Sequence, residues 1–247
     1  MKCKAIFAWT VALMLLIPGV VLAKGQEEEF TEEFPIGECQ FKTTGTNPYF
    51  TLEVGRQLYL NNAQCVADGE CDELEEVWIT VLPQTRNITL EVDGEVKTVK
   101  TRVVEEFESA NGEVKEISRN FFAECSGTQD VYYYGEEVDN YENGVIVNHD
   151  GAWLAGEDGA MPGIIMPGGA FLLGSRYFQE MAPDVAMDRG EHVDMGLEIA
   201  VPAGVFEDCV EVEETTPLDK KELSTKIYCP GIGLAIDEDL QLVQLSP

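Results

Sequence analysis

Two sets of side chains carry metal-ligand chemistry at close spacing. Met181, Met187, His192 and Met195 offer three thioethers and an imidazole, a soft set suited to cuprous ion. Asp150, Glu157 and Asp158, with Asn148 beside them, offer hard oxygens suited to calcium. Asp68-Gly69-Glu70-Cys71-Asp72-Glu73 opens in the manner of a calcium loop, yet Glu73 takes the sixth position, where such a loop turns on glycine. Each set has a plainer reading. Methionine fills cores, the spacing M-x5-M-x4-H-x2-M fits no single strand face, and acidic loops are commonly just solvated. No cofactor is expected, and calcium is the alternative.

Catalytic constellations are missing from the sequence. It has no G-x-S-x-G elbow, Walker loop or H-E-x-x-H, and Gly231-x-Gly233 lacks the rest of a dinucleotide fingerprint. Two histidines, His149 and His192, leave little scope for acid–base or nucleophile partnerships, and 46 acidic residues make any choice of a glycosidase pair arbitrary. The expectation is a protein that is not an enzyme.

The segment His149 to Arg176 is rich in Gly and Pro, too rich for a regular strand, and reads as a long loop. Within it Met161, Ile164, Ile165, Met166, Phe171 and Leu172 are apolar. A long apolar loop either seals a core as a lid or lines the mouth of a binding site. These six residues are the candidate ligand- or partner-binding set.

The elements that must position them are strands. Leu197, Ile199 and Val201 alternate with Glu198 and Ala200, then Pro202-Ala203-Gly204 turns the chain into a strand running from Val205 to Glu213. Thr225 to Cys229 returns beside it. Asp93-Gly94, Asn111-Gly112 and Asn143-Gly144 each sit between strand-like runs, the strongest short signal for a hairpin. The fold class is all-β: an antiparallel meander forming a curved sheet or half-barrel, with a long Gly/Pro-rich loop. Many glutamates fall at alternating strand positions, as an outward face would place them.

Three runs, YYYGEEVDNYENG (Tyr132 to Gly144), HDGAWLAGEDGAMPGIIMPG (His149 to Gly168) and VPAGVFEDC…YCPGIGL (Val201 to Leu234), resemble an uncharacterised family of exported bacterial β-rich proteins. The resemblance covers roughly half the chain and implies a β fold and an exported location, with no activity attached. The Tyr-x-x-Gly-x-Gly-Leu turn is also distantly similar to one in periplasmic lipoprotein-carrier-like half-barrels.

Met1 to Ala23 has a basic start, an apolar run and a small-residue end at Val21-Leu22-Ala23, the pattern of a cleaved signal peptide. The run is short for a membrane span, and no transmembrane segment is expected in the mature chain. Residues 24–35 are acidic and aperiodic, an expected disordered leader, and 36–247 should form a single β domain. Seven cysteines become six without Cys3, an even number that in an exported chain implies disulfides, with fifteen possible pairings. Cys65 and Cys71 bracket VADGE at a hairpin tip. Cys209 and Cys229 are equidistant from Asp219, which sets Val210 opposite Tyr228 and, less comfortably, Val212 opposite Lys226. Cys39 and Cys125 pair by elimination.

A net charge of −30 repels nucleic acid and anionic lipid. The expectation is an acidic, non-catalytic binding module, periplasmic or secreted, for a small apolar ligand or a partner protein. The alternatives are a cation-binding exported protein, for calcium or copper, and a surface interaction protein without a ligand cavity.

Overall fold

The computed structural model describes residues 29–246; the expected signal peptide, residues 1–23, lies outside them. The described residues are all-β. After a 3-10 turn at Ile36–Glu38 come β1 (Phe41–Lys42) and β2 (Gln57–Asn61). A six-residue helix, α1 (Ala63–Asp68), then leads to β3 (Glu75–Val92), β4 (Glu95–Ala110), β5 (Glu113–Cys125) and β6 (Val131–Glu142). Five short strands follow: β7 (Val145–Asn148), β8 (Trp153–Leu154), β9 (Met161–Met166), β10 (Arg176–Phe178) and β11 (Glu180–Met181). The chain ends in β12 (Arg189–Val201), β13 (Gly204–Thr215), β14 (Leu223–Cys229), β15 (Gly233–Asp237) and β16 (Leu240–Ser246).

These strands form one sheet, hydrogen-bonded in the order β10-β12-β13-β14-β15-β16-β2-β3-β4-β5-β6-β9-β11, with every neighbouring pair antiparallel. The two ends of that path are consecutive in the chain. β10 pairs with β12, β11 pairs with β9, and only Gln179 separates them. One short segment thus bridges the two edges, and the sheet curves into a nearly closed barrel. Closure removes most of the unpaired edge that an open sheet of this length would expose.

Local sequence explains the hairpins. At Asp93-Gly94, Asn111-Gly112 and Asn143-Gly144 both residues have positive φ, 54° and 78° in the first pair, as a two-residue hairpin turn requires. The expected disulfides are present: Cys39–Cys125, Cys65–Cys71 and Cys209–Cys229. Cys65–Cys71 does lie on the β2–β3 connection, but it ties α1 to the turn that follows it. The β13–β14 register is the expected one, Val210 opposite Tyr228 and Val212 opposite Lys226.

Two expectations are corrected. Residues 29–35 of the expected leader, the part that is described, dock on the sheet. Thr31 N donates to Arg176 O and Thr31 O accepts from Phe178 N, both at 2.9 Å. Phe30 packs edge-on to Phe178 beneath the Arg189 guanidinium, and Phe34 packs on Tyr132. Two apolar rings in an acidic run suffice to dock it. The Gly/Pro-rich segment is likewise not one long loop, because Met161–Met166 is strand β9, held between β6 and β11. Gly163 makes that possible. A Cβ there would stand 2.3 Å from the Phe178 carbonyl oxygen, so the glycine serves close backbone approach within a sheet.

Tyr132 and Tyr134, both fully buried, point away from the barrel interior and pack edge-on against Phe41. Tyr133 between them points inward. Period-two alternation therefore gives β6 one face for a packed core and one for the interior.

Candidate functional site

The interior is not filled. The curve of the sheet surrounds a half-open cavity of about 410 Å³. Its lining follows from strand alternation. From β4 it receives Val104, Glu106 and Glu108, and from β5 it receives Glu116, Ser118, Asn120 and Phe122. The register brings Glu106 opposite Ser118 and Glu108 opposite Glu116. Around the circumference β6 adds Tyr133 and Glu136, and the closing segment adds Gln179 and Glu180. Asp188 follows, with Glu214 from β13, Lys226 and Tyr228 from β14, and Leu234 and Asp237 from β15. The carboxylates form a belt to which most of the long strands contribute. Phe50, Leu58, Ile79, Val81 and Ile165 join the rings and aliphatic groups on the apolar wall.

The belt continues out of the cavity. Glu106, Glu108, Lys226 and Asp237 also line an adjoining recess of about 470 Å³, rimmed by Glu75, Glu76, Glu238 and Asp239. A ligand entering from that side meets carboxylates first and the apolar wall afterwards.

Burial sets the electrostatics. It pushes the Glu106 carboxyl up to about 8, with the neighbouring Glu108 adding to the effect. Burial and Glu116 take Glu108 to about 7, and burial takes Glu136 to about 7. Glu116 and Glu214 are raised by the same cause, and burial beside Asp188 holds Glu180 well above the usual carboxylate range. Lys226 is the one ammonium on the belt among the described residues. Its Nζ lies 3.0 Å from Asp237 Oδ2 and 3.5 Å from Glu214 Oε2. Burial lowers its pKa, but these two carboxylates outweigh burial and hold it well above the ordinary lysine value. The other basic lining group, Arg56, is committed to the backbone carbonyls of Gly231 and Ile232.

The outer face contrasts with this. There Arg119 bridges Glu105 at 3.2 Å and Asp139 at 3.5 Å, and Arg86 pairs with Glu137. Inside, Glu106, Glu108 and Glu116 make no hydrogen bond or ion pair with the described residues. The glutamates expected on an outward face are split by strand parity, Glu105 outside and Glu106 inside.

The six candidate binding residues are scattered. Ile165 alone reaches the cavity. Met166 is fully buried and Ile164 nearly so, Met161 and Phe171 are half-buried, and Leu172 is 62% exposed. The segment is thus neither a uniform lid nor a mouth, because β9 turns alternate residues to opposite faces.

The cuprous set does not assemble. His192 Nδ1 faces the Leu172 carbonyl at 3.2 Å and so donates to it, which leaves Nε2 to accept from the Tyr177 hydroxyl at 3.0 Å. Its ring is stacked on Phe171. Burial lowers its pKa to about 4, and a neutral imidazole with both nitrogens committed has no lone pair for a metal. Met195 is exposed and Met187 half-buried on the approach to β12, while Met181 lies on β11. The oxygen set is also divided. Asp150 sits in a recess with Asn140 and Asn148, whereas Glu157 and Asp158 border a separate one beside Ala182 and Pro183.

Among the described residues one trio of His, Cys, Asp or Glu converges closely enough to hold an ion, Cys65, Cys71 and Asp239. Both sulfurs there are joined in a disulfide, so no thiolate is offered. The Asp68–Glu73 run contributes only Cys71 to it. The belt carboxylates are too widely spaced for three of them to meet on one ion.

No family profile, curated protein or solved structure matches this chain.

Proposed function

We propose that this protein is an exported, non-catalytic binding module that takes a small ligand into the interior of its barrel. The observation that carries the reading is the cavity itself. At about 410 Å³ it falls in the range of small-molecule sites, roughly 300–1,000 Å³. It also combines an apolar wall with convergent polar groups, here a belt of eight carboxylates, more than such sites usually carry. Three disulfides support an oxidising, non-cytoplasmic compartment, and the reading places the protein in the periplasm or beyond. The histidines support the non-catalytic part. His192 is committed to structural bonds, and His149 lies outside against Asp139 and the Val138 carbonyl.

Native mass spectrometry of protein isolated gently from its own compartment tests this. A small-molecule adduct that leaves on mild activation is expected, and the bare mass in every preparation contradicts it. The competing reading is an interaction surface. Its observation is β7, whose four residues, Val145, Ile146, Val147 and Asn148, are all exposed on a strand paired only with β6. Stoichiometric co-purification of a protein that Val147→Lys abolishes would favour it.

A further inference from the structure

We infer that the cavity selects an amphipathic organic amine, its ammonium group held in the carboxylate belt and its apolar body laid along the aromatic wall. This rests on the cavity being a ligand site and assigns the class of ligand it takes.

The first support is the charge left uncompensated. Among the described residues the cavity is lined by Glu106, Glu108, Glu116, Glu136, Glu180 and Glu214, together with Asp188 and Asp237. Facing them are Lys226, already shared by Glu214 and Asp237, and Arg56, already bonded to carbonyls. An anionic ligand is repelled there, and a neutral one leaves the belt as it is. The second support is independent of the count. Glu106, half-buried, lines the cavity with no hydrogen-bond or ion-pair partner among the described residues. Ser118 opposite it is 4% exposed and also lines the cavity. Its hydroxyl accepts from Asn120 Nδ2 at 3.1 Å. A ligand ammonium in the cavity would give the Glu106 carboxylate the charged partner it lacks.

Spacing decides against a metal ion. No three belt carboxylates converge within 4.8 Å, so the belt offers no three-carboxylate cluster of the kind a protein calcium site is built on. An ammonium needs only two or three acceptors at hydrogen-bond distance. The apolar wall decides against a small inorganic cation of any kind. Phe122 and Tyr133 stack at 4.7 Å, and Tyr228, Leu234 and Ile165 continue a surface that only a hydrocarbon body would use.

The test is calorimetric titration of the full mature protein at about pH 8 and fixed ionic strength with four probes: octylammonium, octanol, octanoate and calcium chloride. Octylammonium is expected to bind at least about tenfold more tightly than octanol, the usual scale of a charge-assisted hydrogen bond, and octanoate not at all. Glu108→Gln should weaken octylammonium about tenfold and leave octanol unchanged. Glu116→Gln serves the same purpose if the first variant folds poorly. Equal binding of octylammonium and octanol overturns the charge selection while leaving the cavity as a ligand site. Tightest binding of calcium overturns the choice of an organic cation. Binding of none of the probes overturns both readings.

Discussion

Glu108 stands directly opposite Glu116 across the β4–β5 pair, and both side chains point into the barrel. Like charges in that relation destabilise a sheet. The cost is smallest when one carboxyl is protonated or a cation lies between them, and the first of these makes stability depend on pH.

For the interior carboxylates the folded chain binds protons more tightly than the unfolded one. Glu106 is pushed up to about 8, and Glu108 and Glu136 to about 7. Their contribution is complete below the unfolded carboxylate value and is lost as pH rises through 7 to 8. His192 acts in the opposite sense. Lowered to about 4, it contributes above its unfolded value near 6.5 and loses that as pH falls. Above about pH 6.5 the carboxylates therefore act alone, with Glu116, Glu180 and Glu214 raised in the same direction and Lys226 titrating beyond the window. The melting temperature of ligand-free protein should fall steadily between about pH 6.5 and pH 8.5 at constant ionic strength. Glu106→Gln should flatten that slope and raise the melting point by a few degrees at the alkaline end. A rising or level profile in the parent protein would contradict the account.

Lys226 balances two of the belt carboxylates. Lys226→Met should cost roughly 3 kcal/mol, because it leaves Glu214 and Asp237 partly buried without their cation. Adding Glu214→Gln to it should recover part of the loss. Chemical denaturation of the two variants measures this, and equal stabilities would show that the pairing contributes nothing.

β9 separates packing from lining. Met166, fully buried, should lose about 2–5 kcal/mol as Met166→Ala. Ile165, half-buried on the cavity wall, should lose less, about 1–2 kcal/mol, because part of its surface is already unpacked. Denaturant midpoints order the two, and the reverse order would place Ile165 in a sealed core.

The disulfides differ by the chain they close. Cys39–Cys125 spans 86 residues and Cys65–Cys71 only 6. Loop-closure entropy assigns roughly 4–5 kcal/mol to the former and roughly 2 kcal/mol to the latter. Cys65→Ala/Cys71→Ala should therefore unfold at a modestly lower denaturant concentration than the parent, and Cys39→Ala/Cys125→Ala at about twice that displacement. The unreduced, unfolded mature parent should titrate no thiol.

Much of the fold was legible because its signals are local. Asp93-Gly94, Asn111-Gly112 and Asn143-Gly144 turn where their φ preferences require, and the symmetry of Cys209 and Cys229 about Asp219 gives the β13–β14 register. The uncomfortable pairing of Val212 with Lys226 was correct, and its reason lay on other strands, in Glu214 and Asp237. Closure was not legible, because Gln179 joins edges made by strands far apart in sequence. The belt was missed for a related cause. In Val104-Glu105-Glu106-Phe107-Glu108 both parities carry glutamate, and period two cannot say which face is inside. The outward Phe107 stands opposite Trp78, which stacks on Tyr59, so aromatic rings on the outside reversed the usual sign.

The most direct measurement of the central claim is the set of intermolecular NOEs between bound octylammonium and ring protons of the isotope-labelled protein. The account predicts NOEs from the methylenes to Phe122, Tyr133 and Tyr228, which line the interior. NOEs confined to exposed residues such as Val145 and Leu172, with none to those three rings, would contradict it.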